Sequence, residues 1–152
     1  MDLTLTVARS AFAMITLLTL TACGPDSAPP SSSPAPVELA AVRGEGGQCA
    51  EGLCRQEVTI YSTGEWRRSA QDKVVANGRL STEQLTVLQS AIDRTDFAAL
   101  LSAPPPATCP SATDGLEMTY RAGFRSVSSC QHELPGKVPL IIQLDTFFSQ
   151  LK

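Results

Sequence analysis

From residue 57 onward the apolar positions fall into short blocks whose period changes along the chain. Residues 57–62 (EVTIYS) alternate Val58 and Ile60 against Thr59 and Tyr61, the period-two signature of a half-buried strand. Thr63-Gly64 supplies a turn and residues 66–70 return as a second strand. Residues 73–76 predict a short third strand, which Asn77-Gly78 interrupts. The period then switches. Ser81 and Gln84 stand three apart as a capping box, and Leu85, Leu88, Ala91 and Ile92 share one helical face behind it. Asp96 caps a second short helical turn carrying Phe97, Leu100 and Leu101. Pro104-Pro105-Pro106 stops helix there, because proline lacks a donor and biases the preceding residue to extended geometry. Residues 116–121 and 124–129 predict a hairpin turning at Ala122-Gly123, with Met118, Tyr120, Phe124 and Val127 as its apolar positions. Pro139 opens a last helix with a broad stripe of Leu140, Ile141, Leu144, Phe147, Phe148 and Leu151, while Gln143, Asp145 and Gln150 face water. Strands, helix, strands, helix imply an α+β domain: a small antiparallel sheet with helices packed on one face.

The first residues follow another logic. Residues 11–21 (AFAMITLLTLT) form an apolar run of signal-peptide length, too short to span a bilayer. It ends in Leu20-Thr21-Ala22-Cys23, which resembles the lipobox of bacterial lipoproteins. The small residues let a signal peptidase close on the backbone, and the thiol is the atom that receives the diacylglycerol. The alternative is an ordinary secretory signal followed by one more cysteine. The resemblance implies a signal peptide over residues 1–22, acylation of Cys23, and two or more acyl chains holding the protein permanently on a membrane. Gly24 stands where lipoproteins retained at the inner membrane carry Asp, so a cell with two membranes would place the chain on the outer one. Residues 24–36 (GPDSAPPSSSPAP) have nothing to bury and read as an extended spacer. Residues 37–48 (VELAAVRGEGGQ) read as a Gly-rich continuation, giving a linker over 23–48 and one folded unit over 49–152.

Composition narrows the function. A net charge of −3 gives no electrostatic footprint for nucleic acid. One His leaves few routes to general-base or metal chemistry, so the expectation is a non-enzyme without cofactor. Besides Cys23 the chain has Cys49, Cys54, Cys109 and Cys130. An even number in an exported domain implies two disulfides, with Cys49–Cys54 and Cys109–Cys130 the favoured pairing of three. The first pair brackets a tight loop containing Gly52, and the second brackets the predicted hairpin. The competing reading is zinc held by Cys109, Cys130 and His132, against which stand the oxidising compartment and an unusual Cys-x-His spacing.

Two further constellations bear on function. His132 with Ser128 or Ser129 and Asp114 sketches a hydrolytic triad, but no nucleophile-elbow glycines flank either serine. Trp66-Arg67-Arg68 sets an aromatic beside two cations and is the candidate partner patch; a Trp packed into the sheet edge is the commoner arrangement. The elements VTIYS, STEQLTVLQSAI, Asp96-Phe97-Ala98-Ala99-Leu100, LEMTYRA and the C-terminal helix together resemble emfourin, a small bacterial inhibitor of thermolysin-type metalloproteases. The disulfides and lipid anchor depart from it, and no inhibitory residue carries over. The sequence thus predicts a lipid-anchored envelope lipoprotein with a non-catalytic binding or structural domain, its partners being the membrane, through Cys23, and an envelope protein. The resemblance implies inhibition of an envelope or secreted metalloprotease as the alternative.

Overall fold

The computed structural model describes residues 35–47 and 54–151; the 1–22 leader, Cys23 and Cys49 lie outside them. The described residues build one six-stranded antiparallel sheet in the order β4-β3-β2-β1-β5-β6. Its strands are β1 (Glu38–Glu45), β2 (Arg55–Tyr61), β3 (Glu65–Ala70), β4 (Lys73–Arg79), β5 (Glu117–Ala122) and β6 (Arg125–Ser128). Helices α1 (Thr82–Asp93), α2 (Phe97–Ser102) and α3 (Pro139–Gln150) complete the α+β fold.

The helices begin where the caps require. Ser81 Oγ accepts from Gln84 N, and Gln84 Oε1 accepts from Ser81 N, closing the capping box. Asp96 accepts from Ala99 N at the start of α2, and Pro139 opens α3. Leu88 of α1 and Leu140, Ile141, Leu144 and Phe147 of α3 then pack with Val42, Val58, Ile60, Tyr120 and Val127 of the sheet in one core. Burying each such side chain is worth about 1.5–3 kcal/mol.

Strand β1 overturns the expected domain boundary at Cys49. Residues 37–47 are not linker: β1 lies mid-sheet, hydrogen-bonded to β2 on one side and β5 on the other. Its Ala and Gly content, which dilutes the strand pattern, is what the packing needs. Ala40, Ala41 and Val42 are buried, and a Cβ on Gly44 would meet Leu116, Met118 and Phe148 at 3.3 Å.

Two turns also differ. Gly78 lies within β4, opposite Trp66, rather than breaking the strand. A Cβ there would sit 2.8 Å from Trp66 Cζ2, so the glycine is the seat of the indole. The turn between β3 and β4 is Gln71-Asp72, in the gap between the two predicted strands, with both residues left-handed at φ 51° and 62°, the twist that two-residue hairpins favour. In the second hairpin Ala122 pairs Arg125, so the turn is Gly123-Phe124, not Ala122-Gly123. Phe124 is therefore expelled from the apolar set and is 95% exposed.

The Cys109–Cys130 disulfide forms across a separation of 21 residues. In the chain-entropy model such a closure contributes about 3 kcal/mol. Cys54 is disulfide-bonded as well. The proposed partner, Cys49, lies outside the described residues.

Candidate binding surface

Strand alternation sorts the side chains by face. The register places Val42, Val58, Ile60, Trp66, Arg68 and Tyr120 toward the helices and Arg43, Glu57, Thr59, Arg67 and Arg121 on the reverse. There the charges interlock. Arg43 Nε donates to Glu57 Oε2 at 2.8 Å. Arg121 donates to the other Glu57 oxygen and, through Nε, to Glu38 Oε1 at 3.1 Å. Arg55 Nε meets Glu45 at 2.9 Å. Burial acts to raise the Glu57 carboxyl, but hydrogen bonds from Arg121 and Arg43 outweigh it and hold the group below the ordinary carboxylate range. This network is pre-formed and half-buried.

Toward β4 the surface opens. Arg67 is exposed, with its guanidinium carbon 5.3 Å from the centre of the Tyr61 ring. Arg79 Nη2 pairs with Glu65 Oε1 at 3.0 Å. Arg67, Arg79, Val74, Asn77 and the rim of Trp66 line an open depression of about 630 Å³. Strand β4 is the edge of the sheet, and among the described residues nothing hydrogen-bonds along its outer side. Val74 and Val75 on it are both exposed.

The predicted patch is therefore divided. Trp66 is only 9% exposed and belongs to the core. Arg68 is committed to structure: it donates to the carbonyls of Phe148 at 3.1 Å and Leu151 at 2.7 Å and to Gln56, closing the C-terminus of α3. Only Arg67 of the three stands free to meet a partner.

The residues of the sketched triad point to separate partners. His132 Nδ1 donates to Ala103 O at 3.0 Å. Ser128 Oγ donates to Glu117, while Ser129 Oγ accepts from Met118 N. Asp114 is the left-handed cap of a 3-10 turn, Pro110–Thr113, at φ 61°. Cys109, Cys130 and Glu117 come within 4.8 Å of one another, but the two sulfurs are bonded to each other and offer no thiolate to a metal. His132 is not part of that cluster.

One polar pair escaped the sequence reading altogether. Tyr120 OH donates to Asp145 Oδ1 at 2.7 Å across the sheet–helix interface. Burial, then the hydrogen bond to Asp145, raises the Tyr120 hydroxyl, and partial burial lifts the Asp145 carboxyl against the opposing effect of that bond. The pair ties α3 to β5.

Comparison with protein-family models and with curated proteins finds no match to this chain.

Proposed function

We propose that this chain is a lipid-anchored lipoprotein of the bacterial envelope whose domain binds a macromolecular partner, without catalysis, through the β3–β4 hairpin. The lipobox resemblance at Cys23 supports the anchor. One observation carries the binding reading: exposed Arg67, steadied on Tyr61, stands at the rim of a depression beside an edge strand that is open among the described residues. Free edge strands and exposed arginines are recurrent anchors for protein partners.

The test is a photo-crosslinking amino acid at exposed Asn77 in the full, membrane-anchored chain, irradiated in living cells. The expected result is one dominant adduct, lost in Arg67→Glu although that variant melts like wild type. Labelling no stronger than at exposed Ser149 would remove the hairpin from consideration. A metalloprotease in the adduct would narrow binding to inhibition, the activity that the emfourin resemblance implies.

A further inference from the structure

The end of the sheet at which the chain enters carries an apolar tip that the binding surface does not use. Gly123 N donates to Leu39 O at 3.1 Å, so the β5–β6 turn lies directly beside the start of β1. At this end Phe124 is 95% exposed, Val37 70% and Leu101 47%. Phe124 and Leu101 line one depression of about 470 Å³ between α2 and the turn, together with Phe97 and Arg125. The Arg125 guanidinium lies 5.2 Å from the Phe97 ring and 5.6 Å from the Phe124 ring. An aromatic at a turn apex with an arginine against its flank is suited to a boundary between oil and water. The ring can enter the acyl region while the guanidinium stays among phosphates.

The position of this tip decides its occupant. The residues between Cys23 and Leu39 reach roughly 55 Å at full extension. If Cys23 is acylated, the tip cannot leave the neighbourhood of the bilayer that holds the chain. Tethering at that range supplies an effective concentration on the order of millimolar, so a contact too weak to bind on its own is populated. We infer that the Gly123-Phe124 tip docks on the lipid surface that anchors the chain, with Phe124 inserted and Arg125 against the phosphates. This rests on the lipoprotein reading proposed above. In the sheet order the β4 edge lies at the opposite side from the β5–β6 hairpin that carries this tip.

The experiment uses the full acylated chain, purified from membranes and reconstituted in phosphatidylethanolamine–phosphatidylglycerol vesicles with or without bromine on the acyl chains. Wild type has only Trp66, which is buried and serves as the reference. Phe124→Trp adds a second indole at an exposed position that tolerates it. Bromine is expected to quench the added emission severalfold and to leave wild-type emission unchanged. An unquenched Phe124→Trp in protein that floats with the vesicles would overturn the docking and leave the anchor intact. Protein that does not float would overturn both. Shielding of the added indole from aqueous quencher only in whole envelopes, not in vesicles, would assign the tip to a protein partner instead.

Discussion

Arg67 and Arg68 are neighbours in sequence with opposite fates, and the cause is strand alternation. Trp66 and Arg68 share the face under the helices, whereas Arg67 points the other way. That division was legible once residues 66–70 were read as a strand; what the sequence could not show is that Arg68 meets the end of α3, a contact spanning 80 residues and more. Three alanine variants separate the roles. Trp66→Ala should cost about 3–5 kcal/mol, as for truncation of a buried aromatic. Arg68→Ala should cost about 1.5–3 kcal/mol, the range for hydrogen bonds from a charged donor. Arg67→Ala should stay within about 0.5 kcal/mol, the usual limit for exposed positions. Denaturant midpoints with unchanged slopes would check the order. A large loss at Arg67 would make it a structural residue.

Among the elements, the helices were the most legible: a capping box, an Asp cap and an N1 proline mark their starts, and most of their apolar positions pack into the core, Leu101 of α2 being left exposed. Hairpins were less so, because a shift of a single residue in the turn changes which side chains face the core. Asn77-Gly78 illustrates the ambiguity. The dipeptide is a strong turn signal in isolation, yet here the glycine makes room for an indole on the neighbouring strand. The cross-strand charge network was illegible, since Arg43, Glu57 and Arg121 come together only through register. Its energetic signature is testable by pH. Because the folded-state pKa of Glu57 lies below its ordinary 4.5, its contribution is present above that value and fades as acid takes the pH down toward the folded pKa. Glu57→Gln should therefore narrow the gap in melting temperature between pH 7 and pH 3.5. An unchanged gap would mean that the network adds nothing to stability.

For the whole molecule, the fold class was readable and the boundary was not. A strand built from ELAAVRGE looks like linker, because its small side chains advertise no core of their own and fill one contributed by others. A chain beginning at Cys49, the boundary that composition suggests, lacks the strand between β2 and β5. It should show neither a cooperative melt nor protected amides, whereas one beginning at Pro34 should show both. A cooperative melt from Cys49 onward would mean that β2 and β5 can close the gap. The position of β1 has a mechanical consequence too. If the anchor at Cys23 is loaded by a partner held on the far edge of the sheet, tension arrives along the middle strand. Its ladders to β2 and β5 are then pulled lengthwise, so many hydrogen bonds share the load at once instead of opening one after another. A domain hung from its middle strand resists being torn from its tether better than one hung from an edge.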